Sequence, residues 1–273
     1  MPGEVLGFLG LNGAGKTTAI RLLLDLLRPS SGQAFIFGHD CYLDGLAARA
    51  HVGYLPGELG LYPDLTGLEI LNFLGSLNPQ PVDKRRREEL TEQLQLSQRD
   101  LRRKVGQYST GMKRKLGVIQ AFHADPPLLI LDEPTEGLDP LMQESFYRLL
   151  ADVKRKGTTV FMSSHVLSEV ERVCDRIALL RKGELVLLSS VQESRRLAER
   201  RVSVSFNTDV EGNLNLPAGC EVVERSPRLC CLKVAGPLGP LVSALAKLPV
   251  KDLQVAEARL EDVVLKIYRE GKP

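Results

Sequence analysis

The sequence predicts an α/β fold: a mostly parallel sheet around a phosphate-binding loop, a helical segment inserted into it, and a small α/β appendage behind it. Three observations predict this. Gly10-Leu11-Asn12-Gly13-Ala14-Gly15-Lys16-Thr17-Thr18 fits G-x-x-x-x-G-K-[ST] and lies between an apolar strand candidate, Val5 to Leu9, and a helix candidate, Thr17 to Leu27. Leu128-Leu129-Ile130-Leu131 and the run from Thr158 to Met162 are apolar, as parallel strands covered on both faces are. Each delivers polar residues at its C-terminal end, where open α/β sheets bind ligands: Asp132-Glu133-Pro134 after the first, Ser163-Ser164-His165 after the second.

The elements follow in order. The first helix is predicted to stop at Arg28-Pro29, because the residue before a proline disfavours helix. Gln33 to Phe37 reads as a short strand closed by Gly38. Val52 to Glu58 is a strand that breaks at Pro56-Gly57. Thr66-Gly67-Leu68-Glu69 is a capping box ahead of Ile70 to Leu74, in a helix that ends near Asn78-Pro79. A charged helix runs from about Asp83 to Leu96, so residues from about 58 to 125 form a mostly helical insert. Ser109 is a natural N-cap for a helix reaching about Ala124. After the Thr135 to Pro140 loop a helix covers about Leu141 to Lys156. A further helix and two strands, Arg176 to Leu180 and Glu184 to Leu188, follow, the strands joined at Lys182-Gly183. Val202 to Phe206 and part of Leu229 to Val234 alternate; a helix fits Leu238 to Lys247 and a strand Leu253 to Ala256. The last helix places Leu260, Val263, Val264 and Ile267 on one face. The pattern changes near Ser190, which divides the chain into residues 1–189 and an accessory domain, residues 190–273.

Composition sets bounds. The formal net charge of the 273 residues is only +2, against the strong basic excess of a dedicated nucleic-acid binder, and no nucleic-acid partner is expected. No apolar run approaches the ~18–20 residues of a membrane span. The start, Met1-Pro2-Gly3-Glu4, lacks the basic and apolar regions of a signal peptide. The five cysteines have no metal-ligand spacing, and Cys230-Cys231 reads as small buried hydrophobes in a strand; a reducing cytoplasm fits.

The chemistry of the motifs explains their residue types. Gly10, Gly13 and Gly15 let the backbone turn tightly with N–H groups aimed at phosphate, and the following helix N-terminus adds its dipole. Lys16 supplies a point charge between the β- and γ-phosphates, the Thr17 hydroxyl is placed for Mg²⁺, and Thr18 lies toward the α-phosphate. Asp132 suits Mg²⁺ held through water, and Glu133 is the candidate to polarise an attacking water. Ser109-Thr110-Gly111-Met112 opens a helix and so offers backbone donors to an anion, although capping alone would account for Ser109. The basic runs Lys84-Arg85-Arg86-Arg87, Arg102-Arg103-Lys104 and Lys113-Arg114-Lys115 read as a solvated face, with contact to lipid headgroups or a membrane partner as the sharper alternative.

The series of phosphate loop, Gly57 loop, Ser109-Thr110-Gly111-Met112-Lys113, Leu131-Asp132-Glu133-Pro134, Gly137-Leu138-Asp139 and Ser164-His165 resembles the nucleotide-binding subunit of ABC transporters. Gly53-Tyr54-Leu55-Pro56-Gly57-Glu58 and Tyr108 to Arg114 are similar to the ATPase subunits of ABC-2 type exporters, the drug- and bacteriocin-resistance branch above all. The resemblance implies a P-loop NTPase core of the ABC ATPase type that hydrolyses ATP with Mg²⁺. It implies Glu133 and His165 as catalytic, with His165 at the γ-phosphate, and Gly10 to Thr18 as ATP ligands. It adds Ser109, Thr110, Gly111 and Met112 acting across a head-to-tail dimer, and Asp139 stabilising that interface. Partners would be an integral-membrane permease and a second copy of the chain, or a paralogue. The location would be cytoplasmic, peripheral at the inner face of the cell membrane.

Three departures from the family stand out. The signature reads Ser-Thr-Gly-Met where the wider family has Ser-Gly-Gly-Gln. Gly57 lies where most relatives carry a glutamine that touches Mg²⁺, so Glu58 or a water would take that task. The two strands that precede the phosphate-loop strand in relatives, with an adenine-stacking aromatic, are missing, which predicts an exposed edge at Gln33 to Phe37 and a misassigned start or a truncated product. Alternatives to a transport ATPase are a soluble non-transport ABC ATPase, or a truncated nucleotide-binding protein of impaired activity. The exported substrate is not written in this chain.

Overall fold

Strands that are apolar on both faces belong in the middle of a covered sheet, and that is where these lie. In the computed structural model, which describes residues 2–78, 82–197, 199–210, 214–256 and 260–270, the chain forms two units, Met1–Leu188 and Ser189–Pro273. The first unit holds β1 (Val5–Leu9), α1 (Lys16–Leu23), β2 (Phe35–Ile36), β3 (His39–Asp40), α2 (Gly45–Arg49) and β4 (Val52–Leu55). The helical insert follows: α3 (Gly67–Ser76), α4 (Lys84–Gln93), α5 (Gln98–Leu101), a 3₁₀ turn (Val105–Gln107) and α6 (Thr110–Phe122). Then come β5 (Leu128–Asp132), α7 (Pro140–Arg155), β6 (Thr159–Ser164), α8 (Leu167–Val173), β7 (Arg176–Arg181) and β8 (Glu184–Ser190).

Six strands form one sheet in the order β4-β5-β6-β1-β7-β8. The pairs β4–β5, β5–β6, β6–β1 and β1–β7 are parallel. The register sets the ends of β5, β6 and β1 level: Asp132 pairs with Ser163, and Ser164 with Leu9. Three polar turns therefore leave the sheet side by side. Leu129, Leu131, Val160 and Met162 are fully buried, which accounts for their unbroken apolar runs. Gly53 lets α6 approach β4: a Cβ there would come 2.1 Å from the Ala121 carbonyl oxygen. β7 and β8 join through Lys182-Gly183, both at positive φ (50° and 83°), the pattern of a type I′ hairpin turn.

The structure corrects two element boundaries. α1 stops at Leu23 rather than Leu27, ahead of the Arg28-Pro29 signal. Asp25 turns left-handed (φ 56°), Leu26 N–H donates to Arg21 O at 2.8 Å and Asp25 N–H to Leu22 O at 3.2 Å, a Schellman ending. The predicted strand at Gln33 to Phe37 shrinks to β2, paired with β3 alone through a Phe37-Gly38 turn. Phe35 is left 56% exposed. α3 has both arms of the predicted capping box, and Pro79 lies outside the described residues.

The second unit contains α9 (Val191–Leu197), β9 (Arg200–Phe206), β10 (Cys220–Ser226), β11 (Leu229–Val234), α10 (Gly239–Leu245), β12 (Val250–Val255) and α11 (Leu260–Glu270). Its sheet, β10-β11-β9-β12, is antiparallel. Alternation fixes its core: Val202, Val204 and Phe206 share one buried face with Cys230, Leu232 and Val234, and Leu241 and Leu245 of α10 cover it. On α11, Leu260, Val263, Val264 and Ile267 are buried, the face that the 3.6-residue period predicts.

Candidate functional site

The site is built where β1, β5 and β6 end beside the start of α1. β1 runs into a loop whose glycines take conformations other residues resist: Gly13 at φ 79° and Gly15 at φ 107°. Gly10 is packed so closely that a Cβ would lie 2.8 Å from Leu180 O. No side chain caps the N-terminus of α1, whose N-cap is Gly15. Free first-turn donors and the positive end of the helix dipole together suit a multiply charged anion. Leu11, Asn12, Thr17 and Thr18 are exposed along this loop, and Ala14 is buried, its carbonyl accepting from Gly183 N–H at 2.9 Å. Lys16 is buried; its Nζ donates to Gly10 O at 2.7 Å and stands 3.5 Å from Glu133 Oε1.

Asp132 ends β5 almost fully buried, its Oδ1 accepting from the Ser163 hydroxyl. Its Oδ2 looks toward Gly57, where a Cβ would lie 3.4 Å away. Glu133 follows in a left-handed conformation (φ 47°), which costs about 1–3 kcal/mol for a non-glycine residue. Both its backbone groups are held: its N–H donates to Ser163 Oγ at 3.0 Å, and its carbonyl accepts from Arg114 Nη2. Its carboxylate lies between Lys16 and His165, with Oε2 2.9 Å from His165 Nδ1. His165, just past β6, is half exposed.

Arg114 corrects the reading of the basic runs. It is 3% exposed on α6, and its guanidinium donates to Pro56 O (2.7 Å), Gly57 O (3.0 Å), Asp132 O (2.8 Å), Pro134 O (3.1 Å) and Glu133 O. Burial lowers its pKa from the usual arginine value, and the charges of Glu136, Asp132 and Glu133 oppose that shift. Arg86 also leaves the solvated face: it is buried, with Nε 2.9 Å from Asp125 Oδ1. A second polar knot joins the β5 and β6 loops. Buried Glu169 accepts from Thr135 Oγ1 at 2.9 Å and from Ser164 Oγ at 3.2 Å. Burial, and then the Glu169 charge, raise the Tyr147 phenol above its ordinary pKa.

Known proteins with this arrangement are numerous. The ABC transporter family profile matches residues 1–136. The bacitracin transport ATP-binding protein BcrA of Bacillus licheniformis is 39% identical over 67% of this chain and 60% of its own length. The ABC transporter ATP-binding protein NatA of Bacillus subtilis is 37% identical over 71% of this chain and 81% of its own. The chain belongs to the ABC transporter ATP-binding family. The ABC cassette fold is shared with a solved structure, a dimer of the ATP-binding cassette MJ0796 in a post-hydrolysis state bound to ADP and Pi. That match has a TM-score of 0.63 and 25% identity over 70% of this chain and 87% of the other. This ABC chain spans between 54% and 60% of the length of three curated relatives, BcrA among them.

Within the cassette, the remaining predicted residues make local contacts of their own. Ser109 is the N-cap of α6, its Oγ accepting from Met112 N–H at 3.2 Å. Thr110 and Gly111 sit against Gly137: a Cβ on Gly111 would be 3.4 Å from Gly137 O. Asp139 caps α7, its Oδ1 accepting from Met142 N–H at 3.0 Å. Sequence reasoning missed Arg114, Ser163 and Glu169. For Arg114 a signal was present: it stands at i relative to Gly117, Val118, Ala121 and Phe122 at i+3, i+4, i+7 and i+8, all buried, so it falls on the apolar stripe of α6.

Proposed function

We propose that this chain is the ATP-hydrolysing subunit of an ABC exporter, energising a separate membrane permease through an ATP-sandwich dimer. One observation carries the reading: Glu133, held by its backbone in a left-handed turn, presents its carboxylate between Lys16 and His165 beside an uncapped helix N-terminus. The donors fit ATP. The N–H groups from Gly13 to Thr18 cradle its phosphates, and Lys16 exchanges Gly10 O and Glu133 for the β- and γ-oxygens. Glu133, released from Lys16, orients a water for in-line attack and draws off its proton; His165 holds the γ-phosphate and Glu133 in register. The Thr17 hydroxyl and the Asp132 carboxylate would hold Mg²⁺, whose charge offsets that of the phosphates when bound. Glu58 is exposed beside Gly57 and is free to act at the metal or toward the permease.

Ser109, Thr110, Gly111, Met112 and Asp139 would complete the ATP site of a second copy, an assignment supported by the dimeric form of MJ0796. A transport role is supported by the likeness to the bacitracin transport ATP-binding protein; export rather than import rests on the resemblance of the motifs to exporter subunits. Among the described residues no helix is long and apolar enough to cross a membrane; the transported molecule would pass through the permease, with this cassette at the inner face of the membrane. Residues 190–273 would form an accessory domain of that assembly.

The test is steady-state ATP hydrolysis of the chain against Glu133→Gln, with size-exclusion of the variant in Mg²⁺-ATP. The expected result is a loss of at least about 100-fold in turnover with nucleotide still bound and a shift to the dimer position. Hydrolysis by the variant at the parent rate would remove Glu133 from the chemistry and sink the mechanism.

A further inference from the structure

A buried cation outside the nucleotide site ties two of its loops to the helix that carries the Ser109 to Met112 segment. Among the described residues every acceptor of Arg114 is a main-chain carbonyl, and all five lie on two segments: Pro56 and Gly57 after β4, and Asp132, Glu133 and Pro134 at the end of β5 and just past it. A planar fork with five N–H donors spread over three nitrogens can match five acceptors on two segments; an ammonium, with three donors on one atom, cannot. A guanidinium needed only for packing or charge would be satisfied by one carboxylate. Here the side chain instead grips the main chain on both sides of the Asp132-Glu133 peptide.

Glu133 is where that grip matters. Its φ of 47° is one that a side-chain-bearing residue leaves unless its surroundings forbid it. Ser163 Oγ takes its N–H from one side and Arg114 takes its carbonyl from the other. We propose that Arg114 is the positioning residue for Glu133: it holds the left-handed turn that aims the carboxylate, and links that turn mechanically to the Pro56-Gly57 loop and to α6. The proposal rests on Glu133 acting on water as described above. It makes the aim of the carboxylate depend on where α6 and the Gly57 loop stand, so displacement of either loop or helix is felt at the reacting group.

The experiment is Arg114→Lys in the full chain, read by affinity for a fluorescent ATP analogue, by kcat and KM, and in a cycle with Glu133→Gln. Expected is a fall in kcat of about 10–100-fold, the size of effect a displacement of about 1 Å produces. Affinity for the analogue should stay within about threefold, since no nucleotide donor is removed. In the Glu133→Gln background the same substitution should change the residual single-turnover rate by less than about twofold, because a residue acting through Glu133 has nothing left to position. A kcat within about threefold of the parent, affinity falling in step with kcat, or the same factor in both backgrounds would overturn the proposal. Arg114→Gln, which is neutral and keeps an amide donor, serves by the same readouts if the lysine variant does not fold. Failure of both to fold would assign Arg114 a structural task only. If Glu133→Gln hydrolyses ATP at the parent rate, the mechanism itself fails. If that variant is inactive and Arg114→Lys is unimpaired, only the positioning role does.

Discussion

His123 is buried within the helical insert at the end of α6, and neither ring nitrogen has a hydrogen-bond partner among the described residues. Burial, and second the neighbouring Arg87 guanidinium, pull its pKa down to about 4. The unfolded chain takes up a proton as pH falls through ~6.5, whereas the folded chain does not until about pH 4. The stability that depends on neutral His123 is thus complete above ~6.5 and is lost as pH drops toward 4; at ~1.36 kcal/mol per unit the loss is on the order of 3 kcal/mol. Urea midpoints followed across that window should fall less steeply in His123→Leu than in the parent; superimposable profiles would show that another group titrates. At this scale the sequence was legible where a residue's task is written in its neighbours, as at Lys16, Asp132 and Glu133. It was less so at Ser163 and Glu169, whose partners lie about thirty residues away, at Glu133 for the one and Thr135 for the other. Arg114 was hidden by its type: flanked by Lys113 and Lys115 it looked solvated, although its phase on the helix is apolar.

Among the elements, α3 starts on a capping box with both arms formed, as α5 does with Ser97 and Asp100. Thr66 Oγ1 accepts from Glu69 N–H at 3.2 Å, and Glu69 Oε2 accepts from Thr66 N–H at 2.8 Å. Those bonds also lower the Glu69 pKa below its usual value. Thr66→Ala is expected to cost about 1 kcal/mol, seen as a lower thermal midpoint with nucleotide affinity unchanged. An unchanged midpoint would show that packing of Ile70 and Leu71 alone fixes this helix. Capping boxes are local and were readable from four residues. The early end of α1 was not, because its left-handed residue is Asp25, stabilised in place by Arg49 Nη1 at 3.1 Å from Oδ2, rather than the glycine that marks such endings. β2 and β3 are two residues each, too short for period or propensity to define, and they exist only as the arms of the Phe37-Gly38 turn.

For the molecule as a whole, two cores with separate sheets predict two melting events. Calorimetry of the full chain should resolve two transitions, and a non-hydrolysable ATP analogue should raise only the one belonging to Met1–Leu188. At a hundredfold excess over Kd the stabilisation is about 2.7 kcal/mol. A single transition displaced entire by the nucleotide would mean that the units unfold as one. The parallel character of the large sheet followed from its unbroken apolar strands, but the order β4-β5-β6-β1-β7-β8 did not, since crossovers leave no local trace. The Arg114 clamp has a consequence for inheritance. Its five acceptors are carbonyl oxygens, which every amino acid possesses, so replacing Pro56, Gly57 or Pro134 deletes no acceptor atom. Substitutions can accumulate at Pro56, Gly57 and Pro134 without a compensating change at position 114. The link is thus transmitted through the codon of one arginine, and the pairwise co-variation that betrays most contacts would stay silent.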